Sequence, residues 1–363
     1  MAESTSPRLV SLDAFRGATI AFMVLVNDAG DGSHVYGPLE HAAWHGWTLT
    51  DVVFPSFLWI VGVAITLSLA KRVAAGASKA DLFRNVVRRA AVIYTLGLVV
   101  YAFPYFHLPT MRLLGVLQRI AICYLLASAI YLTTKIRGQI LWILGLLASY
   151  WMLMTLVPVP GYGPGRLDVE GNLAHYVDNL VLGSHNYRHT VTWDPEGIVS
   201  TLPALATALL GVMAGHILRM KKEIQERVVW MFVAGTLLLA AGLVCDTWLP
   251  INKKLWTSSF ALFMGGLDFI LFALSLWFVD HLGYRRWARP FIIFGMNAIA
   301  VYMFAELLSS ILDLTHWQKA IYQAVFAPLA SPNTASALYA VAYTLFVYFF
   351  AYVMHRKGWY LKV

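Results

Sequence analysis

Long apolar stretches separated by short polar segments run along the whole chain. Many approach 20 residues, the length that an α-helix needs to cross a hydrocarbon layer about 30 Å thick. We expect an all-α polytopic membrane protein, one domain over residues 1–363, with its helices in one bundle. The windows predict ten spanning helices: 12–31, 52–70, 90–106, 113–133, 138–157, 197–218, 228–247, 257–280, 290–312 and 335–354.

Composition supports this interpretation, because 59% of the residues are hydrophobic, 13% are charged and the mean hydropathy is +0.65. A soluble domain carries about 25% charged residues, so the excess apolar side chains must face lipid. Cys123 and Cys245 lie inside apolar segments and predict no disulfide or metal framework. The amino-terminal segment lacks the features of a signal peptide, so we expect the first apolar segment to remain in the protein.

The distribution of basic residues predicts the orientation. An even number of spans puts both termini on one side, and 20 of the 27 Lys and Arg residues then fall on that side. The positive-inside rule makes this side the cytoplasm, so we expect a multi-pass protein of a bacterial inner membrane. These loops also explain the net charge of +8, and we expect membrane lipid and no nucleic acid as a partner.

Three long segments fall on the predicted outer side, at 32–51, 158–196 and 313–334. They hold seven of the eleven histidines. The Gly- and Pro-rich stretch at 158–172 predicts irregular structure that caps the outer mouth of the bundle.

Charged and amide side chains inside spans are costly in lipid, so each is a functional candidate. Several have structural alternatives. Asp13 and Arg16 have the spacing of a helical ion pair, Asn27 is placed to cap a helix end, and Asp51 is placed to N-cap the second span. Arg119 lies inside the fourth span, where we expect an anionic partner. The full set is Asp13, Arg16, Asn27, Asp28, Asp51, Gln118, Arg119, Asp268, Asn297 and Glu306.

Several segments together resemble one enzyme family. RLVSLDAFRGATIAFMVLVNDAG (8–30) and HAAWHGWTLTDVVFPSFLWIVG (41–62) are similar to the heparan-α-glucosaminide N-acetyltransferase family, and the similarity recurs at 112–124, 193–218, 251–262 and 295–302. The resemblance implies a homodimeric membrane enzyme that takes acetyl-CoA from the cytoplasm and acetylates an amino sugar at the outer mouth. We expect a bacterial-type member without the lumenal domain of the lysosomal enzymes, which leaves the acceptor open.

The resemblance also assigns residue roles. The family's catalytic histidine, in its H-A-x-W-x-G block, falls on His41, and its catalytic asparagine, in V-N-x-x-G, falls on Asn27. His41 is suited to act as general base or to accept the acetyl group itself, and Asn27 to stabilise the oxyanion. Expected donor-binding residues are Arg16, Gln118, Arg119, Lys253, Lys254, Trp256 and Asn297. Expected substrate or structural support comes from Asp13, Trp44, Asp51, Asn252 and Glu306.

Acetyl-CoA is the only expected co-substrate, with no metal. Two other functions stay open at this point. An O-acyltransferase of cell-envelope polysaccharide uses the same donor with a hydroxyl acceptor. A transporter of a small anionic or sugar substrate also carries intramembrane charges, although the two halves of the chain show no internal repeat.

Overall fold

The computed structural model describes residues 9–361, which form thirteen α-helices and no strand. The helix α9 continues as a π-helical turn to His281, and a second π-helical turn follows α12. The helices are α1 Val10–Asn27, α2 Leu49–Ala74, α3 Lys79–Ala102, α4 Val116–Thr133, α5 Ile136–Leu156, α6 Leu173–Leu182, α7 Thr201–Leu218, α8 Ile224–Asp246, α9 Ser258–Ser275, α10 Arg285–Met296, α11 Ala298–Leu314, α12 Trp317–Ile321 and α13 Pro332–Lys357.

Nine helices within residues 9–361 are long and apolar enough to cross a bilayer, and the bent pair α10 and α11, if counted as one span, makes ten. The predicted all-α membrane protein with about ten spans is therefore confirmed. The third span is longer than predicted, because α3 begins at Lys79 rather than near residue 90. Its first turns carry exposed arginines, and a hydropathy window gives no signal for a helix that continues into water.

The ninth span is broken rather than continuous. The helices α10 and α11 meet at Asn297 at an angle of 75°, where the backbone of Asn297 is not helical. Residues 158–172 are irregular as expected, but the prediction missed the short α6 that follows them.

Two apolar cores fill the bundle. The larger is built mainly from α2, α4, α5, α7, α8 and α9, and the smaller from α1, α3, α10, α11 and α13. Within the larger core, Gly62 and Gly211 bring α2 and α7 into backbone contact. A Cβ atom at Gly62 would lie 1.8 Å from the Ala208 carbonyl oxygen, so only glycine permits this approach.

The connections between helices gather at two faces. We call one the His41 face; it comprises 28–48, 103–115, 157–200, 247–257 and 315–331. Hydrogen bonds between its segments hold it together, such as Gly46 N–H to the Ile251 carbonyl at 2.7 Å and the Gln318 amide to the Ala29 carbonyl at 3.1 Å. We call the other the arginine face, where α1 begins, α2 ends and α13 ends.

Candidate active site

His41 and Asp51 form a hydrogen-bonded pair at the His41 face. His41 Nδ1 lies 2.6 Å from Asp51 Oδ1. The Asp51 side chain is 1% exposed, and its second oxygen accepts the backbone N–H groups of Ala42 and Thr48, both at 3.0 Å. The N-cap of α2 is Thr48 and Asp51 completes a capping box from the third helical position, not from the N-cap itself. The carboxylate is therefore fixed by the start of the helix.

This pairing directs the other ring nitrogen of His41 outward. A carboxylate only accepts hydrogen bonds, so in the neutral form of the ring Nδ1 carries the proton and Nε2 carries the lone pair. The His41 side chain is 46% exposed, and within residues 9–361 no hydrogen bond engages Nε2. A buried carboxylate that orients an exposed imidazole is the arrangement of a general base or nucleophile.

A second histidine–aspartate pair lies a few residues earlier in the same loop. His34 Nδ1 lies 2.8 Å from Asp31 Oδ2, and the Asp31 side chain is 34% exposed. The hydrogen bond from His34 holds the pKa of Asp31 below its usual value. Since both side chains are open to solvent, the hydrogen bond does little to hold the His34 ring in one orientation. The pair has the same composition as His41–Asp51 and differs from it in burial.

The connection between α8 and α9 supports the loop that carries His41. Lys254 Nζ donates to the Ala43 carbonyl at 2.7 Å, and Asn252 Nδ2 donates to His45 Nδ1 at 3.3 Å. Burial and the neighbouring Lys253 lower the pKa of Lys254. Lys253 lies within electrostatic range of both Asp51 and Glu196, so it brings positive charge toward the pair.

The 157–200 connection supports the same loop from the other side. The Trp44 indole N–H donates to the Leu167 carbonyl at 2.8 Å, and its ring meets Trp193 edge-on at 5.5 Å between centroids. His41 is thus held between two segments distant in sequence.

Asn27 is the last residue of α1 and is exposed on the same face. It does not cap the helix, since Asp28 occupies the C-cap position. No side-chain hydrogen bond of Asn27 occurs within the described part of the chain, and none joins it to His41. Its amide is therefore available to a ligand at this face.

Arg119 is buried in α4 and contacts neutral groups directly. Its Nη2 donates to the Gly197 carbonyl at 3.0 Å and to Ser200 Oγ at 2.5 Å. The guanidinium lies 5.2 Å from the centre of the Trp256 ring, and within residues 9–361 its Nε and Nη1 have no hydrogen-bond partner. The neighbouring Gln118 amide is likewise buried without one. Among the described residues no carboxylate contacts the Arg119 guanidinium directly, so its anionic partner stays a prediction.

A buried ion cluster that sequence analysis missed joins two connections of the His41 face. Arg112 donates to both oxygens of Asp194, at 2.7 and 2.5 Å, and to Glu196. The rings of Tyr101 and Tyr187 lie 4.9 and 4.4 Å from its guanidinium. The positive charge of Arg112 keeps the pKa of Glu196 low despite burial. The signal was present, since Arg112 and Asp194 lie in two of the segments that carry the family resemblance.

A cavity of about 660 Å³ lies between the two cores, among α1, α2, α3, α4 and α11. Its mouth opens at the arginine face and its walls are mostly apolar, with Val116 and Leu117 at the start of α4 marking the end toward the His41 face. His41 and Asn27 do not line it. The polar residues of the mouth are Arg16, Arg72, Asn85, Arg88 and Arg89.

Of the seven residues expected to bind the donor, Arg16 lines this cavity. Its Nη1 lies 3.3 Å from Asp13 Oδ1, the pair expected from sequence, and 3.3 Å from the Gly295 carbonyl. Glu306 lies on α11 one turn beyond the lining residue Tyr302 and interacts electrostatically with Arg112. Gln118, Arg119, Lys253, Lys254, Trp256 and Asn297 do not line the cavity.

Among residues 9–361, no group of three His, Cys, Asp or Glu side chains is arranged to hold a metal ion. The site is built from a directed imidazole, an exposed amide and a cavity with cationic side chains at its mouth.

The fold defines the protein as a polytopic helical membrane protein. Comparison with known proteins identifies its family. A family model described as heparan-alpha-glucosaminide N-acetyltransferase, catalytic, matches residues 8–236, a range that includes Asn27, His41 and Asp51. The chain belongs to the heparan-α-glucosaminide N-acetyltransferase family, and the resemblance inferred from its motifs is confirmed.

Two curated relatives match almost the whole chain. Heparan-alpha-glucosaminide N-acetyltransferase of Homo sapiens is 30% identical over 413 aligned positions, covering 98% of this chain and 60% of the human protein. The mouse protein of the same name is 29% identical over 418 positions, covering 99% of this chain and 61% of its own length. The chain therefore spans about three fifths of the length of these relatives.

Proposed function

We propose that the protein transfers the acetyl group of acetyl-CoA to an amino sugar on the opposite side of the membrane. The observation that carries this proposal is the division of the molecule between its two faces. A cavity with arginines at its mouth opens at one face, and the directed imidazole of His41 lies at the other. Family membership supports acetyl transfer as the reaction.

The cavity suits the donor in chemistry and in size. Coenzyme A carries phosphate groups at one end, and arginines are the side chains that bind phosphate best. Its pantetheine arm is slender and carries two amides and a hydroxyl, and its methyl and methylene groups match the walls of Ile, Met, Phe and Leu side chains. A volume of about 660 Å³ lies within the range of small-molecule sites. In this arrangement Arg72, Arg88 and Arg89 hold phosphates at the mouth while the thioester points toward the His41 face.

His41 and Asn27 then perform the chemistry. Nε2 of His41 removes a proton from the acceptor amine as the amine nitrogen attacks the thioester carbonyl carbon. The Asn27 amide donates to the oxyanion that forms. The C–S bond then breaks, and the proton held by His41 passes to the leaving sulfur. Asp51 keeps Nε2 directed at the reactants and stabilises the imidazolium.

A two-step route uses the same residues. Nε2 of His41 attacks the thioester carbonyl first, the C–S bond breaks, and CoA leaves as a thiolate. The amine then takes the acetyl group from the imidazole, and the proton that the amine loses is released to solvent. The exposed lone pair of Nε2 serves both routes. Trapping an acetylated His41 in the absence of acceptor separates them, since the one-step route forms no such species.

Purified protein given radiolabelled acetyl-CoA with glucosamine tests the proposed reaction. Glucose is the matched control, because it offers a hydroxyl where glucosamine offers the amine. We expect labelled N-acetylglucosamine and CoA release with glucosamine and neither of them with glucose. Transfer to glucose would favour an O-acyltransferase, and uptake of an intact ligand into vesicles without CoA release would favour a transporter.

We further propose that the arginine face and both termini lie in the cytoplasm of a bacterial cell. The excess of basic residues at that face supports this orientation. A reporter fused after Arg166, in the 157–200 connection, is expected to be active as a periplasmic fusion. Activity of a cytoplasmic reporter at the same position would contradict the orientation.

A further inference from the structure

The last described residues, Trp359–Leu361, run from the end of α13 to the break between α10 and α11. We call them the C-terminal strap. The chain reverses at Gly358, whose φ of +67° closes the helix in a left-handed conformation, and Trp359 N–H donates to the Met354 carbonyl at 2.9 Å. The reversal directs the strap across the arginine face, away from α13.

Asn297 holds the strap with both groups of its side-chain amide. Its Nδ2 donates to the Trp359 carbonyl at 3.0 Å, and its Oδ1 accepts the Leu361 N–H at 3.1 Å. Asn297 is buried and lies at the 75° break between α10 and α11. An asparagine amide has both a donor and an acceptor, so one side chain pairs with two points of a passing backbone.

The strap forms part of the cavity mouth. Leu361 lines the cavity with Arg16 and Arg72, and so do Gly295 and Met296, which precede the break. The side chains of the strap are largely exposed, so little apolar burial holds it in place. A segment held mainly by a few hydrogen bonds opens at low cost in free energy.

We infer that the C-terminal strap is the movable wall of the cavity mouth and that Asn297 latches it. Release of the latch widens the mouth, and ligand exchange follows. Asn297 is thus a positioning residue that acts through the strap. We infer the movement of the strap from its hydrogen bonds and exposure alone. That the exchanging ligand is acetyl-CoA rests on the proposed function.

A cysteine reporter inside the cavity tests the movement without any donor. Ser68 lines the cavity and is exposed to it, so Ser68→Cys reports access by a water-soluble maleimide. The background carries Cys245→Ala, and Cys123 is fully buried. We expect Asn297→Ala to raise the labelling rate of Cys at position 68 about tenfold, the scale of two lost backbone hydrogen bonds.

A stop codon after Gly358 provides a second variant that leaves Asn297 intact, and we expect it to raise the labelling rate as much. The matched control is Asn333→Ala, since the Asn333 amide also donates to a backbone carbonyl, that of Val35 at 3.5 Å, but at the His41 face. We expect the control to label at the wild-type rate. Unchanged labelling in both strap variants would overturn the inference.

Kinetics with acetyl-CoA then test separately whether the strap moves and whether acetyl-CoA is the ligand that it admits. We expect Asn297→Ala to raise the KM for acetyl-CoA about tenfold and to leave kcat unchanged, whereas general misfolding lowers kcat. Faster labelling with unchanged CoA affinity would support the strap and contradict acetyl-CoA as the ligand of this cavity. Raised KM with unchanged labelling would contradict the strap.

Discussion

The two faces of the bundle differ in the burial of their main charged groups, although Arg16 at the cavity mouth also pairs with Asp13. At the His41 face, Asp51 and the cluster of Arg112, Asp194 and Glu196 are buried and paired. At the arginine face, Arg72 and Arg88 are exposed at the cavity mouth, and within the described residues no carboxylate pairs with them. Buried pairs hold side chains in a fixed geometry, which a catalytic reaction requires of the groups that take part in it. Exposed cations leave their charge available to a ligand that brings its own anions.

The comparison predicts that the largest loss of turnover follows from removing the directed imidazole. We expect His41→Ala to lower kcat about 1,000-fold, the scale of general acid–base catalysis, with little change in the KM for acetyl-CoA. His34→Ala is the matched control, because His34 also pairs with an aspartate in the same loop. CoA release by both variants measures the effect. Full turnover of His41→Ala, or equal losses in both variants, would contradict the assignment of the base.

The carboxylate that orients His41 is expected to have the next largest effect. Asp51→Asn keeps an acceptor for the cap but loses the charge that stabilises the imidazolium, so we expect kcat to fall about 100-fold. Measurement of kcat and of the KM for acetyl-CoA checks the cause, since loss of the charge beside His41 lowers kcat and leaves the KM unchanged. Wild-type kcat in Asp51→Asn would show that burial of the carboxylate has no catalytic role.

A smaller effect, on donor affinity alone, is expected at the mouth. We expect Arg88→Gln to raise the KM for acetyl-CoA about tenfold, the scale of one charge-assisted hydrogen bond, and to leave kcat unchanged. Arg84→Gln is the control: Arg84 lies one turn earlier on α3, pairs with Asp81 and does not line the cavity. A fall in kcat instead of a rise in KM would remove the difference between the two faces.

The smallest effect concerns the pH dependence of the His41 face. Burial raises the pKa of Asp178 to about 6, although the carboxylate accepts the N–H groups of Ile198 and Asp194. A carboxyl whose pKa is higher in the folded state contributes most to the free energy of unfolding below its unfolded pKa, and loses that contribution as the pH rises through about 6. We expect the melting temperature to fall between pH 4 and pH 7, and less so in Asp178→Asn. Identical pH profiles of the two proteins would contradict this.

The spans were predictable because lipid imposes a local rule on every helix that crosses it. Family resemblance placed His41 and Asn27, and the structure adds how Asp51 directs the imidazole. The arginines at 72, 88 and 89 were visible in the sequence, but only as charges of a predicted cytoplasmic loop. Hydropathy does not show that α3 continues past the membrane and turns two of them to the cavity mouth.

Other features had no local signal. The ion cluster of Arg112 joins residues 82 positions apart, and the latch of Asn297 joins residues 62 positions apart. Each partner alone has an ordinary alternative, since an arginine at a helix start binds lipid phosphate and an asparagine caps a helix. Only the folded chain brings the partners together, so the sequence pattern alone does not predict the cavity mouth or the ion cluster.

Transfer between the two faces is the central claim, and vesicles with both sides controlled test it most directly. Protein is reconstituted with the arginine face inward, as judged by protease cleavage in the 157–200 connection. Acetyl-CoA is trapped inside and labelled glucosamine is added outside, since neither charged molecule crosses lipid freely. We expect labelled N-acetylglucosamine outside, CoA inside, and no product with His41→Ala. Product that forms only when acetyl-CoA and glucosamine share one side would contradict it.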